Sequence, residues 1–299
     1  MNDDLYHEVE VELGKLDAMT LVLHLDEGRI PSLAGYYEVL FDDNRPVEDR
    51  TRLMLYFPYS ETLPSASVSI FMQAIGITDF TIKETPLKRE DYLEAYKKYY
   101  RSFSVTDKLV IVPSWEKGSK DHISDSNKDK IPLYLDPGLA FGTGQHATTK
   151  LCLQYLSEFV TPGLRIIDAG AGSGILSIAA ILLGAESVLA FDVDINSKEA
   201  VSYNADLNAG VKEKLKFVHG GFDIEEFKTF HADILVANVT KNIILSNTNY
   251  IKQGNYPRLV FSGILVEHKD EIEAHFSDHW KPTICREDDG WIVLELIRK

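Results

Sequence analysis

Cysteine is scarce, with only Cys152 and Cys285 in 299 residues. Two cysteines build no disulfide framework, and both sit among apolar sequence neighbours, so both are expected as buried free thiols. Long apolar runs are missing too. The longest, residues 175–184, is interrupted by Ser177 and falls short of the roughly 18–20 residues that cross a bilayer. The first residues, Met-Asn-Asp-Asp-Leu-Tyr-His-Glu, lack the basic and apolar regions of a signal peptide. The expectation is a cytoplasmic chain with no membrane partner. Positive charge is also in deficit: 31 Lys and Arg stand against 46 Asp and Glu, a formal net charge of −15. Residues 1–86 hold 16 acidic and 6 basic side chains, and residues 87–299 hold 30 and 25. Such a surface repels a phosphate backbone, which excludes direct, non-specific nucleic-acid binding. It either aids solubility or attracts a basic partner.

What is present is ordinary for a globular protein: 44% hydrophobic and 26% charged residues, and length enough for two domains. Residues 6–13 alternate between polar and apolar, as a half-buried strand does. Residues 36–41 and 53–57 read as two more strands, 68–75 as a helix closed by Gly76, and 80–83 as a last strand. That order describes a small α+β, ferredoxin-like domain over residues 1–86. The first helix it calls for is poorly formed in residues 16–30. Residues 88–101 read as a helix with tyrosines at helical spacing, within a linker over 87–104. Strands follow at 109–113 and 131–135, separated by a polar surface loop at 117–130.

From residue 148 the pattern becomes strands alternating with helices. Helices are expected at 148–160, 175–184, 197–209, 242–251 and 266–276. Strands are expected at 164–167, 187–191, 215–218, 234–237, 258–262 and 291–297. Repeated β-α units with apolar strands imply a doubly wound, mostly parallel sheet covered on both faces, with room for an antiparallel edge pair. This second domain spans 105–299.

Its chemistry concentrates where strand 164–167 enters Asp168-Ala169-Gly170-Ala171-Gly172-Ser173-Gly174 and a helix opens at Ile175. Glycines here permit a sharp turn and close approach of a ligand to the main chain. The next strand ends at Asp192, placed to accept hydrogen bonds from ribose hydroxyls. A dinucleotide requires G-x-G-x-x-G, so that its pyrophosphate meets the helix N-terminus. This loop is G-x-G-x-G, and the Asp168 carboxylate ahead of it suits a cationic or amine-bearing ligand and repels pyrophosphate. Gly142 and Gly144 lie upstream, but no Gly-Lys-Ser/Thr follows them, so a Walker loop is excluded. His268, His275 and His279 fall on one face of the expected last helix, but no third ligand type accompanies them and no metal site is assigned. Trp115, Trp280 and Trp291 are read as packing residues.

The G-x-G-x-G loop after an acidic residue resembles the first motif of S-adenosylmethionine-dependent methyltransferases. The segment Leu135-Asp136-Pro137-Gly138-Leu139-Ala140-Phe141-Gly142-Thr143-Gly144-Gln145-His146-Ala147-Thr148-Thr149 closely resembles the signature of the bacterial ribosomal protein L11 methyltransferase (PrmA-type) family. Val112-Pro113-Ser114-Trp115, residues 233–238 ending at Asn238, and residues 259–265 match in the same order. The resemblance covers residues 88–299 well and 1–86 weakly. It implies a Rossmann-like class I methyltransferase domain behind a substrate-recognition domain. It also implies S-adenosyl-L-methionine as methyl donor and lysine or α-amino groups of ribosomal protein L11 as acceptors; a monomer is expected separately. By the same resemblance Thr149, Gly170, Asp192 and Asn238 contact the donor, Gly172 and Gly174 complete the loop, and Phe141, Gly142 and Thr143 lie against it. Asn238 is the catalytic candidate, orienting the acceptor amine, and His146 is a candidate lining residue. The chain departs from the family pattern at Gln145 (Thr), Ala147 (Pro), Ala171 (Cys) and Val239-Thr240 (Ile-Leu). Alternatives are another acceptor, a donor-binding assembly protein, or a nicotinamide enzyme.

Overall fold

Alternation of Val9, Val11 and Leu13 with Glu8, Glu10 and Glu12 gives the first strand one fully buried face and one polar face. That strand belongs to a computed structural model that describes residues 5–26, 29–33, 35–39, 41–42, 45–46, 50–58, 61–88, 97, 100–118, 127–137, 142–254 and 256–299. The chain divides into two compact units, Met1–Arg101 and Ser102–Lys299. Among the described residues, no helix is long and apolar enough to cross a membrane.

The first unit runs β1 (Leu5–Gly14), α1 (Lys15–Asp26), β2 (Gly35–Val39), β3 (Phe41–Asp42), β4 (Arg45–Pro46), β5 (Arg50–Pro58), α2 (Pro64–Ala74) and β6 (Phe80–Lys88). Its main sheet has the order β2-β5-β1-β6 with every neighbouring pair antiparallel. That is the split β-α-β arrangement of a ferredoxin-like domain. The first helix, which the sequence marks poorly, is present. Ala18, Leu21, Val22 and Leu25 are spaced i, i+3, i+4 and i+7 and buried, while Leu16 is 76% exposed. An apolar residue on the outer face dilutes the stripe that sequence reading looks for. The linker helix expected at 88–101 falls almost entirely outside the described residues.

The second unit begins with a three-stranded sheet, β7 (Phe103–Ser104), β8 (Leu109–Pro113) and β9 (Ile131–Leu135). Then come α3 (Ala147–Phe159), β10 (Arg165–Ala169), α4 (Ile175–Leu182), β11 (Ser187–Asp192), α5 (Ile195–Leu207), β12 (Leu215–His219) and α6 (Glu225–Thr229). Completing it are β13 (Ile234–Asn238), α7 (Lys241–Ser246), α8 (Thr248–Gln253), β14 (Arg258–Leu265), α9 (Lys269–Phe276), β15 (Trp280–Asp288) and β16 (Trp291–Arg298). The large sheet is ordered β12-β11-β10-β13-β14-β16-β15. Strands β10 to β14 are parallel, and β16 is antiparallel to both its neighbours. Ile167, Leu189, Leu235, Phe261 and Leu294 form the centre of the core on this sheet.

Several local expectations are corrected. The helix expected at 242–251 is two helices broken at Asn247, whose side-chain amide adds a bond at 2.8 Å to the Ile243 carbonyl at the end of α7, beside the backbone N–H of the same residue at 3.2 Å. The expected helix at 266–276 starts as a 3-10 turn and becomes α-helical only from Lys269. His268 and His279 consequently flank α9, and the three histidines share no helix face. Cys152 is buried, but Cys285 is exposed, because it sits on the outward face of the edge strand β15. Trp280 and Trp291 are buried packing residues, and Trp115 is half-buried.

Candidate active site

The chain moves outward from β10 to β11 and β12 on one side, and from β13 to β14 on the other. The reversal leaves a crevice beyond the carboxyl ends of β10 and β13, the ligand position of open α/β sheets. The glycine loop leaves β10 at this point, and Asn238 ends β13. Gly170 has φ +76°, a left-handed conformation that costs other residues about 1–2 kcal/mol. A Cβ there would collide with Val239 Cγ1. Its N–H and that of Ala171 donate to the Phe191 carbonyl at 2.9 and 3.1 Å. Gly174 stands immediately before α4, its N–H closing a turn on the Ala171 carbonyl at 2.8 Å.

Asp192 ends β11 half-buried, with one carboxylate oxygen accepting from Gly172 N–H at 2.8 Å and the other from Asp194 N–H at 2.9 Å. A carboxylate has about four lone-pair positions, so both oxygens retain capacity for ligand hydroxyls. Asp168 is buried beneath the loop. Its Oδ2 accepts from Ser177 Oγ at 2.6 Å, and among the described residues its Oδ1 has no hydrogen-bond partner. Burial pushes its carboxyl up to about 6; Ser177 opposes the shift and Asp192 adds to it. A buried, incompletely answered carboxylate at this position favours a ligand bearing positive charge.

Asn238 Nδ2 donates to Thr149 Oγ1 at 3.4 Å, and Thr149 is fully buried on α3. The Val239 N–H donates to the Ser262 carbonyl at 3.2 Å, so the chain just past β13 is held to β14. Thr143 is half-buried between Gly142 and Gly144, and Phe141 lies outside the described residues. His146 caps α3: its ring nitrogen accepts from Thr148 N–H at 3.4 Å and pairs with Thr148 Oγ at 2.8 Å. Its ring also packs edge-on against Trp291 at 5.3 Å. Burial lowers its pKa to about 4, reinforced by Lys150, which keeps the imidazole neutral.

Two serines escaped the sequence reading. Ser173 donates its hydroxyl to the Gly142 carbonyl at 2.7 Å and accepts from Ile175 N–H at 3.3 Å. Gly142, at φ +96°, would place a Cβ 3.1 Å from that hydroxyl. Ser177 answers Asp168. A hydroxyl residue between two glycines of the loop and a serine within an apolar helix were the available signals. Thus Asp168, Gly170, Gly172, Gly174, Asp192, Asn238 and Thr149 gather around one crevice, with Gly142 tied to it through Ser173. Among the described residues, no cluster of metal-ligating side chains occurs.

Known proteins extend this picture. The sequence profile of the family described as ribosomal protein L11 methyltransferase (PrmA) matches residues 2–299. A ribosomal protein L11 methyltransferase of Leptospira interrogans is 34% identical over 98% of this chain and 99% of its own length. One from Symbiobacterium thermophilum is 38% identical over 70% of this chain and 66% of its own. The crystal structure of a ribosomal protein L11 methylase from Lactobacillus delbrueckii subsp. bulgaricus superposes with a TM-score of 0.57 at 30% identity. That match covers 67% of this chain and all of the other.

Proposed function

The chain belongs to the ribosomal protein L11 methyltransferase family, and from that premise we propose that it transfers methyl groups from S-adenosyl-L-methionine to amines of ribosomal protein L11 in the cytoplasm. The observation that carries the donor assignment is the acidic pair flanking the glycine loop: Asp168 with an unanswered buried oxygen, and Asp192 anchored at the end of β11. Together they suit a cationic nucleoside and oppose a pyrophosphate. Backbone of Gly170, Gly172 and Gly174 would receive the donor's amino-acid end, Asp192 its ribose hydroxyls, and Thr149, Gly142, Thr143 and Phe141 the remaining wall. Once bound, the donor supplies an electrophilic methyl group on a sulfonium.

The protein's task is then to present a neutral amine in line with that methyl, at about 3–3.5 Å. A lysine has a pKa near 10.4, so deprotonation at pH 7 costs about 4–5 kcal/mol. Burial beside positive charge favours the neutral form. Asn238 is the residue assigned to orient the amine, because its Nδ2 is engaged with Thr149 and its Oδ1 is available to accept an amine N–H. Neutral His146 is occupied as a helix cap, so no side chain is assigned as general base. Residues 1–86, with most of the net negative charge, are assigned to docking the basic acceptor as a recognition domain. The chain is assigned as a monomer that needs no nucleic acid.

Calorimetric titration tests the donor directly. S-adenosylhomocysteine should bind one site per chain, and NADH should give no saturable change. Saturable NADH binding without a response to S-adenosylhomocysteine would sink the assignment.

A further inference from the structure

Asn204 in the last turn of α5 and Asn208, the residue that caps its C-terminus, are both buried. Buried side-chain amides persist only where their donors and acceptors are answered. Asn208 is answered by one residue of β9 and by α5 itself: its Oδ1 accepts from Tyr134 N–H at 2.9 Å, and its Nδ2 donates to the carbonyls of Tyr134 at 2.7 Å and Asn204 at 2.8 Å. It behaves as an added strand partner. Asn204 instead joins two segments. Its Oδ1 accepts from Asp136 N–H at 2.8 Å, just past β9, and its Nδ2 donates to the Ser173 carbonyl at 2.9 Å inside the glycine loop. Ser173 carries a second link through its hydroxyl to Gly142. Gly142 is therefore held to Ser173 directly, and Asp136 is linked to the same loop residue through the Asn204 amide.

We infer that Asn204 is a positioning residue for donor binding, which acts by fixing the Ser173–Gly174 peptide of the glycine loop. The peptide unit is planar, so anchoring the Ser173 carbonyl also directs the Gly174 N–H, which closes the turn on Ala171. With that turn set, Gly172 N–H meets Asp192, and Gly142 is seated beside the loop. Asn204 touches no donor atom in this scheme. The inference rests on reading residues 170–174 as the donor loop.

The test is calorimetry with S-adenosylhomocysteine on the full-length chain, paired with donor kinetics and melting curves. Asn204→Asp keeps the acceptor for Asp136 N–H but sets a carboxylate oxygen against the Ser173 carbonyl. Asn204→Ser removes the amide without adding charge, whereas Asn208→Ser loosens β9 and frees the Asn204 carbonyl but leaves the Asn204 side-chain bonds to Asp136 and Ser173 in place. Both Asn204 variants should weaken binding about tenfold or more and raise the donor KM in parallel, with kcat at saturating donor falling less. Asn208→Ser should lower Tm at least as far as Asn204→Ser while keeping Kd within roughly twofold. Folded Asn204 variants with unchanged Kd would overturn the inference. So would a Kd that simply follows the loss of Tm in all three variants, or a failure of both Asn204 variants to fold while Asn208→Ser folds. Absence of saturable binding by the unmodified chain would overturn the donor reading and the inference with it, a result distinct from any variant-specific outcome.

Discussion

At the scale of the residue, Asp168 and Asn238 illustrate two ways a side chain serves a site. The folded-state pKa of Asp168 stands at about 6, above its ordinary 3.8. Stability from this group is therefore fully present below pH 3.8 and is lost as pH rises through 6. The whole loss is about 3 kcal/mol, and about half of it falls between pH 5 and 8. Asp168→Asn abolishes that titration. The Tm difference, variant minus unmodified chain, should become more positive by roughly 3–6 °C from pH 5 to pH 8 for a unit of this size. A difference that does not change with pH would contradict the burial of an ionising carboxylate. The same variant should bind S-adenosylhomocysteine more weakly, which separates the charge needed by the ligand from the charge tolerated by the fold. Asn238→Ala removes the amide oxygen assigned to the amine. Its kcat should fall about 100-fold, the scale of losing one oriented hydrogen-bonding group in a closed site, with little change in Tm. An unchanged kcat would reject that role.

At the scale of the element, the glycine loop depends on a neighbour that sequence reading did not associate with it. Gly170 and Val239 belong to different β-α turns, and a Cβ on the first collides with the side chain of the second. Gly170→Ala should lower Tm and abolish measurable donor binding. Adding Val239→Ala should recover part of the lost Tm but leave about 1–2 kcal/mol of left-handed strain. Melting curves on the two single variants and the double variant check this, and complete recovery or none would contradict the contact. The same contrast explains what was legible beforehand. Strands β10, β11 and β13 read clearly because each is a short apolar run between turn residues, and residues 170–174 read clearly because glycine spacing is local. Helix α1 did not, because Leu16 points outward and blurs its stripe. Neither α6, with five residues, nor the break at Asn247 leaves a periodic trace, since side-chain capping of a carbonyl is invisible in a hydropathy pattern. Ser173, Asn204 and Val239 were missed because their partners lie in segments distant along the chain.

At the scale of the whole molecule, charge is the feature that sequence reports most directly and structure alters least. Residues 1–86 carry −10 of the −15 net charge. Attraction between exposed charges fades over about 8–10 Å at physiological ionic strength. If this charge steers a basic ribosomal protein, raising salt should increase the acceptor KM several-fold between about 50 and 300 mM and leave kcat nearly unchanged. A salt-independent KM would return the acidic surface to a role in solubility. The proposed function assigns acceptor docking to the first compact unit and the chemistry to the second. The central claim is that this chemistry ends on amines of ribosomal protein L11. Purified chain, deuteromethyl-labelled S-adenosylmethionine and purified L11 should yield L11 carrying labelled methyl groups on lysine side chains or its α-amino group, located by peptide mass spectrometry. L11 left unlabelled while another protein or a small molecule acquires the label would contradict it.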